Sequence, residues 1–294
     1  MNWKQITAIV IVVIISGYLY SLPVKGLIKP NAGRGKSGEM PAASRPSPAI
    51  ANVTVDMVSA PAKSAIGAAL AATINDLEGQ LKNASGDDAK LDLQKKLAKQ
   101  WDDDNQPAPA AFYYQAIANK ENTFDNWSNA GSRFNDAYKA TQDTSVQPAF
   151  VENAIDAYKN AVKLKPENLD AKTGLGIAYV NQTSLGITDP NGGSPMQGIM
   201  LLLDVVKKDP NNRNANLSLG LFAMKSGQFE KAVARFKTVI AQKAEVEPYF
   251  YLAESYKQLG MKKEAIDAYQ KCKDMIADPI IGQKIDQYIK ELKN

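Results

Sequence analysis

One pattern is written twice between residues 213 and 279. Leu219-Gly220 returns as Leu252-Ala253, Gly227 as Gly260, Ala232 as Ala265 and Phe236 as Tyr269, each 33 residues later. A fixed period in the thirties, with small residues set between aromatics, predicts stacked two-helix units. Within the first copy, Leu217, Leu221 and Met224 fall at helical intervals, as do Leu219, Phe222 and Ala223. Ser226-Gly227-Gln228 interrupts them, because glycine accepts the positive φ on which a helix ends. A second helix is expected from about Phe229 to Ile240. Gly220 and Ala232 are small where two helices must come close, and Phe236 fills the space beside them. One such hairpin cannot bury both of its faces, so it needs neighbours.

The spacing resembles the tetratricopeptide repeat: an aromatic, Leu-Gly, an aromatic, Ala, an aromatic, Ala and a closing Pro. The 246–280 unit places Tyr249, Leu252, Ala253, Tyr256, Ala265, Tyr269 and Cys272 in this order. The 213–245 unit is poorer, with Asn216 and Ala223 in aromatic places. Upstream, 169–212 offers Leu175, Gly176 and Tyr179, then Gly198, Leu202, Val205 and Pro210. The 124–168 unit offers Trp127, Ala130, Gly131 and Phe134, then Ala154, Tyr158, Ala161 and Pro166. Residues 91–123 form a degenerate first unit around Leu97, Ala98, Trp101, Ala110, Tyr114 and Ile117. The turns within 124–168 and 169–212 read as about 11 and about 10 residues longer than the standard one. Such inserts mark either a binding edge or plain surface loops. Residues 281–294 read as a capping helix with the stripe Ile285, Ile289, Leu292. The fold class is therefore all-α, an α-solenoid of five tetratricopeptide-like hairpins over 91–280.

Three stretches precede the array. Residues 1–27 contain Ile6–Leu22, 17 uncharged and mostly apolar residues, just long enough at about 1.5 Å per residue to span a bilayer. Tyr18 and Tyr20 sit near one end, where interfacial aromatics lie, and no small-x-small cleavage site follows. An uncleaved signal anchor is expected. Residues 28–62, rich in Pro, Ala, Gly and Ser, read as a flexible linker. Residues 63–90 read as an N-terminal helix over Lys63–Leu81, covering the first exposed face of the array.

Charge narrows the function. Residues 1–62 hold six basic and two acidic residues, which accounts for the whole net charge of +4, and the 29 basic and 29 acidic residues that follow cancel. The alkaline pI thus comes from the membrane flank, and no nucleic-acid partner is implied. Orientation is contested. Lys25, Lys29, Arg34 and Lys36 behind the span point to the cytoplasm by the positive-inside rule. Lys4 ahead of it is the layout of an export signal. The reading taken is a single pass of a bacterial inner membrane with the folded part in the periplasm, the cytoplasmic orientation standing beside it.

The chain contains no histidine and one cysteine. That removes Ser-His and Cys-His nucleophile pairs, histidine bases and the usual zinc sites. Cys272 occupies a place where the repeat wants a small buried residue. Asp102-Asp103-Asp104 could attract a cation, but no further ligands stand at metal-loop spacing, and a solvated turn is the expectation. No catalytic residue, metal or cofactor is predicted, and the chain is not read as an enzyme.

What the family resemblance implies is a concave surface lined by the first helices. Carried over by spacing, its residues here are Ile177, Val180 and Asn181 in one unit, Leu217, Leu221 and Met224 in the next, and Phe250 and Glu254 in the last. An apolar strip with a polar border suits a peptide or an amphipathic helix. The other possibility is that the chain's own capping or N-terminal helix fills it. A grip on a peptide's terminal carboxylate is not expected, because Asp125, Ser128, Ser132, Asn135 and Asp136 supply no lysine. The function expected is a membrane-tethered scaffold for a protein or peptide partner. Two alternatives stand beside it. One is an assembly factor holding a client in cytochrome c maturation, whose anchored repeat subunits this layout resembles. The other is a self-associating structural envelope protein.

Overall fold

A computed structural model describes residues 52–187 and 195–293. The apolar run Ile6–Leu22, residues 28–51 of the linker and most of the 169–212 insert lie outside the described residues. Among the described residues there are thirteen helices and no strand. None of these helices is long and apolar enough to cross a membrane.

The helices are α1 (Val55–Ile66), α2 (Ala68–Asn83), α3 (Asp87–Asp103), α4 (Pro107–Glu121), α5 (Phe124–Ala140), α6 (Gln147–Leu164), α7 (Leu169–Ser184), α8 (Pro195–Lys208), α9 (Arg213–Lys225), α10 (Phe229–Gln242), α11 (Val246–Gln258), α12 (Lys262–Asp274) and α13 (Pro279–Lys293). The chain divides into two compact units, Pro46–Ala215 and the part from Asn216 onward. In the first unit each helix from α1 to α8 packs on the next, α1 also packs on α4, and α5 touches α7. In the second, α10 to α13 pack in chain order.

The turn inside the hairpins has one recurring form. Gly227 and Gly260 adopt φ of 73° and 71°. The next amide reaches back five residues, Gln228 N to Ala223 O at 2.8 Å and Met261 N to Tyr256 O at 3.0 Å. This double closure satisfies carbonyls that a helix end leaves bare. Gly186 repeats it through Ile187 N to Gln182 O at 3.2 Å, and Asn105, at φ 56°, through Gln106 N to Trp101 O at 2.8 Å. Asn105 thus does in the degenerate first unit what glycine does in the others, since asparagine tolerates the left-handed region better than most residues. The starts of helices are capped as well. Thr123 accepts from Asn126 N at 3.3 Å at α5, and Asn168 accepts from Ala171 N at 2.8 Å at α7.

Close approaches between helices fall on glycines. A Cβ on Gly220 would stand 2.7 Å from Cε1 of Phe236. One on Gly198 would stand 2.7 Å from the Gly176 carbonyl, so α7 and α8 cross almost backbone to backbone. Asn216, in a place where the repeat takes an aromatic, is fully buried and accepts from Arg235 Nη1 at 2.9 Å. A polar pair there fills the space that a ring would occupy.

Three expectations are corrected. Val55–Ala62, assigned to the linker, is helical because Val58 and Ala62 find a buried face, despite Pro61 inside the helix. The single helix over Lys63–Leu81 is two helices broken at Gly67, whose φ of 86° ends one and starts the other. Leu70 is consequently 41% exposed instead of continuing a buried stripe. The long turn of the 124–168 unit is mostly helix: α5 and α6 run 17 and 18 residues, against 13 each for α11 and α12, and absorb most of the extra length.

Gly220→Leu should destabilise the fold by about 1–3 kcal/mol through overpacking against Phe236, read as a lower midpoint in urea with circular dichroism. The open position Gly79, with nothing within 4 Å of an added Cβ, should accept alanine without loss.

Candidate partner-binding face

The first helices α5 and α7 meet through the ring of Tyr158, which α6 drives between them. An added Cβ would lie 2.7 Å from that ring at Gly131 and 2.1 Å from it at Gly174. Only residues without a side chain admit it. The two helices are then stitched by Asn135 Nδ2, which donates to the Gly174 carbonyl at 3.1 Å. Burial pushes the Tyr158 phenol up to about 12, a rise partly offset by hydrogen bonds that Ser132 and Asn135 give its oxygen. The phenol therefore stays neutral at physiological pH.

Along α5, Ser128, Ser132 and Asn135 share one face, at spacings of four and three. Along α7, Thr173, Ile177, Val180 and Asn181 do the same. Ile177, Val180 and Asn181 are half-buried. Thr173 is satisfied within its own helix, its hydroxyl donating to Leu169 O at 2.7 Å. Three polar atoms on these faces are buried without a partner: Ser128 Oγ, Asn135 Oδ1 and Asn181 Nδ2. Each such group costs roughly 1–3 kcal/mol unless something completes it.

The acidic turn beside this face is structural. Asp102 accepts from Arg133 Nε at 2.5 Å and from the Tyr114 hydroxyl at 2.9 Å, and Arg133 also reaches Asp136 at 3.2 Å. Asp103 pairs with Lys99 at 2.6 Å, and Asp104 accepts from Gln100 at 3.1 Å. Among the described residues no cluster could hold a metal ion.

In the second unit the expected strip is partly closed. Leu217 and Leu221 are half-buried and pack against the core. Met224 is 5% exposed and Phe250 is 1% exposed, so neither lines an open groove. Phe250 is covered by α13. Tyr288 lies 6.2 Å from it and stacks on Tyr269 at 5.6 Å, and Ile285, Ile289 and Leu292 join the same core. Glu254 accepts a hydrogen bond from the Tyr269 hydroxyl. Lys257 Nζ stands 5.6 Å over the Tyr288 ring. The last helix thus takes the place that the first helix of a further repeat would take.

The tetratricopeptide repeat profile matches residues 249–274. Residues 249–274 carry one tetratricopeptide repeat. Among solved structures, a thermophilic tetratricopeptide repeat protein of Thermus thermophilus is 19% identical, with a TM-score of 0.51 over 67% of this chain and 97% of that one. One from Parabacteroides merdae is 14% identical, with a TM-score of 0.52 over 81% and 88%. At such identities the likeness is one of fold, an all-α helical solenoid. Comparison with curated proteins yields no match.

Cys272 is 1% exposed, its Sγ lies 3.6 Å from Val246 O, and burial pushes its thiol up to about 12. With the thiolate so disfavoured, the folded protein should resist maleimide at pH 7 and react once unfolded in guanidinium, as mass spectrometry would report.

Proposed function

We propose that the protein is a non-catalytic scaffold, held to a bacterial inner membrane by residues 6–22, with its folded part in the periplasm. In this reading the α5–α7 face holds an extended peptide or a helix of a protein partner. The observation that carries it is the set of unsatisfied atoms at Ser128 and Asn135 on α5 and at Asn181 on α7, where Asn181 shares its face with the half-buried Ile177 and Val180. A peptide backbone offers both N–H and C=O groups, so it completes an orphaned amide oxygen and an orphaned amide nitrogen alike. Ile177 and Val180 would take apolar side chains of the same ligand. Leu217 and Leu221 belong to the proposed surface as a second apolar patch in their own unit. Met224 and Phe250 support it from beneath, and Glu254 is held by Tyr269.

The tether rests on the length and apolarity of Ile6–Leu22 and on the lack of a cleavage signal after it. It gives the scaffold a fixed address and needs no chemistry from the array.

Two outcomes test this. Ile177→Asp combined with Asn181→Ala should lower partner recovery from a detergent extract at least tenfold, while helical circular dichroism and the melting midpoint stay unchanged. A partner bound equally well by this variant means the face is not the site. Haem-attachment proteins among the prey would specify a client-holding role, and recovery of the chain alone would favour self-association. Protease added outside intact spheroplasts should degrade the array, whereas protection until lysis would place it in the cytoplasm.

A further inference from the structure

The solvent side of α8 differs from that of α6, α10 and α12. On α6 that side carries Asp156, Lys159 and Lys163, on α10 Glu230, Lys231 and Lys237, and on α12 Lys263, Asp267 and Lys271, all exposed. On α8, Met196, Met200 and Leu203 are 59%, 63% and 44% exposed. Their spacings of four and three put them in one row, which exposed Lys207 continues a turn later. The other side of the helix is the one packed on α7, through Gly198 and the fully buried Leu202. Apolar residues thus stand on two sides of the helix, with the polar strip Gln197, Asp204 and Lys208 between them, a wider apolar surface than a helix packed on one side alone requires.

We propose that this row docks on the lipid surface of the membrane to which the chain is anchored, an inference that rests on the anchor reading of residues 6–22. The length of chain ahead of the array favours lipid over a protein as the occupant. Thirty residues separate Leu22 from Val53. Even at full extension they hold Val53 within roughly 105 Å of the bilayer. An apolar surface so confined meets the membrane at an effective concentration on the order of millimolar, which makes a weak contact count. The chemistry of the row agrees. Methionine side chains are unbranched and adapt to an irregular surface. Lys207 stands at the end of the row, where it can reach an anionic headgroup. Asp204, three residues before Lys207, lies off the row with Lys172 and Lys208 at 3.7 and 3.6 Å, so it does not oppose that contact. Docking by this side leaves the α7 residues Ile177, Val180 and Asn181 facing away from the lipid.

The test uses the full chain reconstituted in phosphatidylcholine–phosphatidylglycerol vesicles. Met200→Cys and, as a control on α7, Asp170→Cys each carry an environment-sensitive fluorophore, with Cys272 left buried. Brominated lipid should quench the label at 200 several-fold more than the label at 170, and adding Leu203→Glu should abolish the difference. A chain that resists alkaline extraction and floats with the vesicles, yet shows equal quenching at both sites, overturns the docking and leaves the anchor intact. A chain that fails to float overturns the anchor and the docking together. Self-quenching between labels at 200 without lipid quenching overturns the docking in favour of a second copy of the chain.

Discussion

Helix hairpins of this length have too little apolar surface to stand alone, so everything depends on how closely neighbouring helices approach. In this chain that distance is set by glycines facing large rings. Tyr158 lies over Gly131 and Gly174, and Phe236 lies over Gly220. At Gly198 the place of a ring is taken by the backbone of α7. A methyl group at any of these positions would push two helices apart, and the displacement would be passed to the helices packed beside them within the same unit. The seams therefore need residues with no side chain, and the rings need the seams.

The same contacts make the candidate face. By entering between α5 and α7, Tyr158 brings its hydroxyl near Ser132 and Asn135 and fixes the register in which Asn135 reaches the Gly174 carbonyl. Core packing on one side of the first helices thus determines which polar atoms are presented on the other. Arg133, Asp102 and Tyr114 lock α3, α4 and α5 together beside that face. The carboxylates of this turn serve as acceptors for neighbouring side chains.

The two units differ at their faces for a physical reason. In the second, α13 follows the last hairpin and covers Phe250 with Tyr288 and its aliphatic stripe. A terminal repeat with an apolar flank has to be covered, and the chain supplies the cover itself. In the first unit, Ile177 and Val180 remain half-buried, with an unsatisfied amide at Asn181 beside them.

Much of this was legible in the residues. The 33-residue offset located both glycine turns, and the small-to-large spacing located the crossing of Gly220 with Phe236, because these depend on local backbone geometry and on side-chain volume. Other features depended on distant partners. Asn105 gives no glycine signal, and its turn is recognisable only from the hydrogen bonds it closes. Gly67 is a local signal for a break, but a glycine inside a helical pattern does not always end the helix, and here the break accompanies the packing of α1 on α4. Phe250 and Met224 carry the spacing of groove residues, and whether a groove residue is open is decided by what lies across from it. The sequence alone settled the period, the turns and the all-helical class, since each is encoded within a few tens of residues. Which faces are closed, and which polar atoms are left without a partner, was decided by tertiary structure, because exposure belongs to the packed assembly of helices and not to any one of them.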